Sequence, residues 1–321
     1  MTRFYAFNGD ADGLCALQQL RLVETGDARL VTGVKRDIAL LERVDAAAGD
    51  EVTVLDISLD RNRAALLRLL GSGASVRYFD HHYAGALPVH PRFEPHIEET
   101  GDVCTSVLVD RYLDGRHRAW AIVAAFGDGL PNVAKAMANS AGFDAPATAT
   151  LETLGIGLNY NAYGDSISDL HVDPAELARE MRPFEDPLDF ARRSPAYARL
   201  ASGYDEDLRK ARALVPTRQV PGATTLVLPN EPWARRAIGV LANELNQARP
   251  DNAIAILSPR ARGGFVVSVR VPAGRSVSAD AFCREFETGG GRKLAAGIDV
   301  LQDADVDSFV ERFEARYRVR P

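Results

Sequence analysis

Carboxylate and imidazole side chains follow three apolar segments in the first third of the chain, each of which is typical of a buried strand. They are Asp10 and Asp12 after residues 3–7, Asp56 near the end of residues 51–57, and Asp80, His81 and His82 after residues 76–79. Oxygen donors with an occasional imidazole nitrogen suit divalent ions such as Mn²⁺ or Mg²⁺. The pattern therefore predicts a metal centre that hydrolyses phosphate esters.

Two further residues complete the predicted ligand set. Asp128 lies between two glycines, and Asn8 can offer an amide oxygen. Any one of these aspartates alone is more typical of a helix cap or a turn. Together they supply the bridging and terminal ligands that two ions about 3.5–4 Å apart require. We therefore expect two Mn²⁺ ions, with Mg²⁺ as an alternative.

The spacing of apolar residues in the first half predicts alternating strands and helices. The predicted strands are 3–7, 30–34, 51–57 and 76–79, and the predicted helices are 14–23 and 59–70. Such alternation is typical of an α/β domain with a mainly parallel sheet and helices on both faces. In these sheets ligands bind beyond the carboxyl ends of the strands, where the acidic and histidine residues fall.

The chain is predicted to contain two domains joined by a linker helix. We place a metal-binding domain at 1–188, the linker helix at 189–215, and a smaller α/β domain at 216–321, with the active site in the cleft between the domains. In the smaller domain the predicted strands are 224–228, 253–257 and 265–271, and the predicted helices are 233–247 and 276–286.

A glycine tract in the second domain, Gly289-Gly290-Gly291, precedes Arg292. Three glycines leave backbone N–H groups open to an anion, in a concave arrangement that side chains would block. Arg270, two residues after Ser268 at a strand end, can pair with a phosphate. Alone, this tract would be read as a flexible turn beside a solvated arginine. Beside a metal domain it predicts a clamp for a nucleotide end.

The length, charge and cysteine content of the chain restrict its possible compartment and substrates. The chain has 321 residues, a net charge of −6 and three cysteines. No apolar run reaches the roughly 18 residues that span a bilayer, and no cysteine pair has zinc-site spacing. We therefore expect a cytoplasmic protein. A clamp for long duplex DNA would need a large basic surface, which is not evident, so the expected substrate is a short oligonucleotide or a small nucleotide.

These motifs resemble those of the DHH phosphoesterase family, in members that carry a DHH-associated C-terminal domain, such as RecJ-type and nanoRNase-type enzymes. The resemblance covers nearly the whole chain. The matching segments are Asn8 to Gly13, Asp56, Asp80-His81-His82, Gly127-Asp128, Ser268-Val269-Arg270, and Gly289 to Gly297 with Arg292 inside it.

The resemblance implies a role for each residue. Asp10 and Asp56 would hold one ion, and Asp56 would bridge to a second ion. The second ion's ligands would be Asp12, Asp56, His81 and Asp128. His82 would face the substrate phosphate, and Asp80 would support the site. The C-terminal residues would bind substrate.

Three positions depart from the family pattern. Many members carry a histidine where this chain has Ala6, and RecJ-type members carry an aspartate where it has Asn8. We therefore expect the first ion to bind more loosely than the second. The glycine tract usually ends in histidine, and here it ends in Arg292, which can still pair with phosphate.

The function predicted from these observations is a Mn²⁺-dependent phosphodiesterase that hydrolyses short oligonucleotides or small nucleotide diesters. Two alternatives stay open. One is a pyrophosphatase or polyphosphatase, since relatives of the N-terminal domain cleave phosphoanhydrides. The other is a non-catalytic nucleotide-binding regulator, which is favoured by the departures from the family pattern at Ala6, Asn8 and Arg292.

Overall fold

The structure is a computed structural model that describes residues 1–319. Its chain divides into two compact units, Met1–Tyr204 and Asp205–Pro321. The boundary falls inside the linker helix predicted at 189–215. No helix of the described residues is both long and apolar enough to cross a bilayer.

The first unit is built on a parallel five-stranded sheet. Its strands are β1 (Arg3–Phe7), β2 (Arg29–Val31), β3 (Glu51–Leu55), β4 (Ser75–Asp80) and β5 (Phe93–Ile97). They lie in the order β2-β1-β3-β4-β5, with every neighbouring pair parallel. The predicted α/β fold class is confirmed. All carboxyl ends therefore meet at one edge of the sheet.

Helices cover both faces of this sheet. Helices α1 (Ala11–Val23) and α3 (Thr105–Tyr112) lie on one face, and α2 (Leu59–Gly71) lies on the other. The next helices along the chain are α4 (Arg118–Gly127), α5 (Pro131–Ser140), α6 (Ala145–Asn161), α7 (Pro174–Met181), α8 (Pro187–Arg193) and α9 (Pro195–Arg212), and α9 continues past the boundary of the first unit. Proline begins α5, α7, α8 and α9, where its missing N–H costs no hydrogen bond. Helix α1 begins three residues before the predicted Leu14, because Asp10 caps it.

Two apolar cores hold the sheet between the helices. On one face, Tyr5 and Phe7 pack with Leu17 and Trp120. On the other, residues such as Phe4 and Val54 pack with α2. Successive residues of a strand point to opposite faces, so β1 is buried on both sides. The strand ends that carry the polar residues are therefore held rigidly.

The second unit contains a six-stranded sheet in the order β10-β11-β9-β8-β7-β6. Its strands are β6 (Arg218–Val220), β7 (Ala223–Val227), β8 (Ala253–Pro259), β9 (Phe265–Arg270), β10 (Gly289–Arg292) and β11 (Ala295–Leu301). Its helices are α10 (Pro232–Ala248), α11 (Ala279–Cys283) and α12 (Val306–Tyr317). Strands β7 and β8 are parallel, and α10 connects them. Phe282 packs against Phe309, Phe313 and Tyr317 in the apolar core of this unit.

Candidate metal centre

The predicted metal ligands converge at the carboxyl edge of the first unit's sheet. His81 lies at the centre, with its Nε2 atom 3.4 Å from Asp56 Oδ1, 3.8 Å from Asp128 Oδ2 and 4.0 Å from Asp12 Oδ2. Ligand atoms around an octahedral ion with bonds of about 2.1 Å lie about 3 to 4 Å apart. Each carboxylate therefore lies near ligand spacing from His81, and two sets of ligand atoms converge within 4.8 Å, those of Asp12, His81 and Asp128 and those of Asp56, His81 and His82.

Asp12 is held in place by the start of helix α3. Its two carboxylate oxygens accept hydrogen bonds from the backbone N–H groups of Thr105 and Ser106, each at 2.7 Å. The Ser106 hydroxyl also donates to the Asp12 carbonyl oxygen at 2.9 Å. Helix N-termini carry free N–H groups and favour negative charge. Thr105 and Ser106 therefore orient a buried ligand, a role that the sequence analysis missed.

Asp56 takes an uncommon backbone conformation where β3 ends. Its φ angle is +58°, and Asp114 is the other described non-glycine residue with positive φ. Aspartate tolerates this left-handed region better than most residues, although such strain costs of order 1–3 kcal/mol. The Asp56 N–H donates to the Phe79 carbonyl at 3.0 Å. The strained turn therefore places the Asp56 carboxylate beside His81.

Like charges surround these carboxylates. Burial, followed by the charges of Asp10, Asp12 and Asp128, raises the pKa of Asp56 well above its ordinary value. Burial and the charge of Asp12 raise the pKa of Asp128 to about 6. A divalent cation would relieve this repulsion, which supports metal binding at the site.

Asp10 caps helix α1. Its Oδ1 atom accepts from the backbone N–H groups of Asp12 and Gly13, both at 3.1 Å. Its Oδ2 atom contacts the ammonium group of Lys35, which also donates to Asn159 Oδ1 at 3.1 Å. Burial, the largest influence, would raise the pKa of Asp10, but the charge and hydrogen bond of Lys35 and the Gly13 N–H together outweigh burial, and the pKa is lowered. Lys35 and Asn159 were not predicted as site residues.

His82 and Asp80, which were both predicted as site residues, lie in contact with each other. His82 Nδ1 lies 2.7 Å from Asp80 Oδ1, and Asp80 is fully buried. The hydrogen bond with Asp80 raises the pKa of His82. The His82 side chain is 46% exposed, whereas that of His81 is 18% exposed. His82 therefore has a face available to a substrate, and its predicted contact with phosphate stays a prediction.

Asn8 lies in the same cavity, which has a volume of about 190 Å³ and is lined by Asn8, Asp10, Lys35, Asp56, His81 and Asp128. The Asn8 Oδ1 atom is buried and has no hydrogen-bond partner among residues 1–319. It is therefore a neutral oxygen that a cation could use, and its role as a metal ligand stays a prediction.

Four of the predicted substrate residues of the second unit, Ser268, Arg270, Gly290 and Arg292, share one sheet face. Arg270 of β9, Ala295 of β11 and Arg292 of β10 lie directly opposite one another across the three strands. Ser268, Gly297 and Gly290 form the adjacent row. Residues opposite each other in antiparallel strands point to the same face. Two arginines thus flank a floor of glycine and alanine.

Arg270 is held in place by its neighbours. Its Nε atom donates to Asn243 Oδ1 at 2.9 Å, and Nη1 donates to Ser268 Oγ and the Val269 carbonyl, both at 3.0 Å. Ser268 therefore orients Arg270, and Arg292 is exposed at the sheet edge.

The glycine tract differs from its predicted geometry. It was expected to form a concave turn, but it forms the edge strand β10, paired with β11. A Cβ atom at Gly289 would collide with the Cys283 carbonyl, and one at Gly291 would lie 2.6 Å from Ala296 Cα. Gly290 has open space where a Cβ would be. Gly289 and Gly291 are therefore needed for packing, and Gly290 leaves the shared face open.

Comparison with known proteins gives structural neighbours alone. No protein-family model matches the sequence, and no curated protein matches it. A crystal structure of exonuclease RecJ bound to manganese superposes with a TM-score of 0.63 at 19% identity, over 98% of this chain and 89% of that chain. The chain has the RecJ fold.

A second RecJ structure, from Thermus thermophilus and in complex with Mn²⁺, gives a TM-score of 0.62 at 19% identity. The match covers 98% of this chain but 51% of that RecJ chain, so this chain spans about half its length. An exopolyphosphatase-related protein from Bacteroides fragilis gives a TM-score of 0.47 at 13% identity, over 98% of this chain and 92% of that one. That score is too low to guide an assignment. The RecJ fold agrees with the family resemblance found in the sequence.

The raised pKa of Asp128 predicts how the metal-free protein responds to pH. The folded pKa of about 6 exceeds the ordinary 3.8, so unfolding releases a proton between these values. The contribution of Asp128 to stability is then fully present below about pH 4 and is lost as pH rises through 6. We expect thermal unfolding in a chelator to show this loss, and Asp128→Asn to weaken it. An unchanged pH dependence in Asp128→Asn would contradict the crowded carboxylate cluster.

Proposed function

We propose that the protein is a Mn²⁺-dependent phosphodiesterase that releases nucleotides from short oligonucleotides or opens small nucleotide diesters. The convergence of Asp12, Asp56 and Asp128 on His81 carries this proposal. The RecJ fold supports it, since one RecJ neighbour is an exonuclease bound to manganese.

The chemistry follows from the side chains around the site. A bound divalent ion would supply a Lewis acid that activates water and offsets charge on the phosphate. Asp12, fixed by helix α3, and Asp56, fixed by its strained turn, hold their oxygens in place without rearrangement. His82, paired with Asp80, donates from its exposed ring to a phosphate oxygen or the leaving group.

The arginine-flanked face of the second unit supports a nucleotide substrate. Arg270 is oriented by Asn243 and Ser268, and Arg292 lies in register with it. Arginine forks onto phosphate oxygens, and the open surface at Gly290 allows a flat group to approach the strand closely. We propose that this face binds a phosphate and the adjoining nucleoside of the substrate.

A substrate panel tests the function. Purified protein with Mn²⁺ is given dinucleotides, short RNA and DNA oligomers, pyrophosphate and polyphosphate, and mononucleotides and phosphate are measured. We expect hydrolysis of the nucleotide diesters. Hydrolysis of pyrophosphate or polyphosphate alone would replace the proposal with a phosphoanhydride hydrolase. Nucleotide binding with no turnover on any substrate would indicate a regulator.

Arg270 should act in binding more than in chemistry. Arg270→Ala removes one phosphate contact, so we expect KM for a dinucleotide to rise about tenfold or more, with a smaller change in kcat. The matched control is Arg262→Ala, since Arg262 is exposed in the turn at the other end of β9. An unchanged KM in Arg270→Ala would remove the second unit from substrate binding.

A further inference from the structure

Lys35 reaches into the metal centre from the loop after β2. Its backbone N–H donates to the Ala162 carbonyl at 2.9 Å, which anchors the loop beside helix α6. Its ammonium group contacts Asp10 Oδ2 and Asn159 Oδ1, and the side chain is 26% exposed and lines the cavity. A lysine ammonium has three donors, so two reach protein oxygens and one can reach a substrate oxygen.

The carboxylate that should hold the first ion is already engaged. Oδ1 of Asp10 accepts two helix N–H groups, and Oδ2 contacts Lys35. An ion at Oδ2 would share that oxygen with the ammonium group and would lie beside its positive charge, which disfavours binding there. Asp10 also lies outside both sets of ligand atoms that converge among the described residues, which are Asp12, His81, Asp128 and Asp56, His81, His82.

The neighbouring positions offer little to a first ion. Position 6 is a buried alanine, and position 8 offers the neutral oxygen of Asn8. By contrast, Asp12, Asp56, His81 and Asp128 supply three carboxylates and an imidazole at ligand spacing. The residues expected to hold the first ion are therefore Asp10, which Lys35 already contacts, and Asp56, and neither position 6 nor position 8 adds a carboxylate or an imidazole to them.

Lys35 places one positive charge beside the four carboxylates of the cavity, which belong to Asp10, Asp12, Asp56 and Asp128. A fixed ammonium can offset charge on a phosphate as a point charge, although it cannot activate water as a metal does.

We infer that Lys35 takes the place of the first metal ion. The centre would bind one divalent ion, through Asp12, Asp56, His81 and Asp128. The Lys35 ammonium, held by Asp10 and Asn159, would contact a non-bridging oxygen of the substrate phosphate. This inference rests on the proposed function, because it assigns the residues that act on the same phosphate.

The number of bound Mn²⁺ ions tests the inference without reference to activity. We expect calorimetric titration of the full chain to give one ion, and electron paramagnetic resonance to show an isolated Mn²⁺ signal. Two ions with a spin-coupled signal in the unaltered protein would overturn the inference but leave the proposed function intact. No bound ion at all would overturn the proposed function itself.

Variants at Lys35 sharpen the test. The double change Lys35→Ala with Asn8→Asp frees Asp10 and adds a carboxylate, so we expect a second Mn²⁺ and a spin-coupled signal. Lys35→Met, which keeps most of the side-chain volume, should retain one ion and lose about 100-fold in kcat. Lys135→Ala, at an exposed position of α5, is the control and should change neither quantity. Full turnover in Lys35→Met, or one ion in the double variant, would overturn the inference.

Discussion

Replacing Asp56 with asparagine is expected to abolish turnover, with a loss of at least about 10³-fold in kcat, which corresponds to roughly 4 kcal/mol. Asp56 provides the carboxylate nearest to His81 Nε2. Asparagine keeps the shape and tolerates the left-handed backbone, so the fold should survive. Its amide oxygen is a weaker ligand than a carboxylate, so Mn²⁺ should bind much less tightly.

The same variant should be more stable than the unaltered protein when metal is absent. Asp56 lies among the charges of Asp10, Asp12 and Asp128, and removing its charge removes that repulsion. Thermal unfolding with a chelator and with excess Mn²⁺ measures both effects. Asp114→Asn is a matched control, because Asp114 also has positive φ and is exposed. Retained activity in Asp56→Asn would refute the metal centre as described.

Asp12→Asn is expected to cost both activity and stability. Both carboxylate oxygens of Asp12 accept N–H groups of helix α3, at 2.7 Å each. An asparagine can accept on one side alone, and its NH₂ group would face an N–H donor at the other. Leaving a buried donor without an acceptor costs about 1–3 kcal/mol. We therefore expect a lower melting temperature, in contrast to Asp56→Asn.

Chemical denaturation of the two variants in a chelator separates the two roles. In a chelator neither Asp12→Asn nor the unaltered protein holds a metal ion, so loss of metal binding cannot change the difference between their unfolding midpoints. A midpoint for Asp12→Asn below that of the unaltered protein therefore measures the lost contact with α3. Equal midpoints for Asp12→Asn and the unaltered protein would mean that Thr105 and Ser106 do not hold this carboxylate in solution.

The sequence was sufficient to predict the strands that carry the ligands. Runs of apolar residues end at Phe7, Leu55 and Phe79, and the polar residues that follow each run mark the carboxyl ends of the strands. Strand β5 was missed because it contains Pro95 and charged residues. Such a sequence is tolerated in β5 because β5 is the outermost strand of the sheet, and one side of an outermost strand needs no hydrogen bonds.

Other features depend on tertiary structure. Glycine disfavours strands, so β10 could not be predicted from its own residues and forms through pairing with β11. Lys35 and Asn159 are separated by 124 residues and meet because β2 lies beside β1 and α6 returns to the sheet edge. Helix α12, by contrast, is predictable from its own residues, since Phe309, Phe313 and Tyr317 recur at helical spacing.

The number of residues in the turn between β10 and β11 determines whether Arg292 lies on the same sheet face as Arg270. Two residues, Lys293 and Leu294, connect the strands and set Arg292 opposite Ala295. A slip of one position would turn every side chain of the strand to the opposite face. Arg292 would then leave the face it shares with Arg270, although no residue of that face had changed. Insertions and deletions at this turn should therefore be as damaging to phosphate binding as loss of the arginine itself.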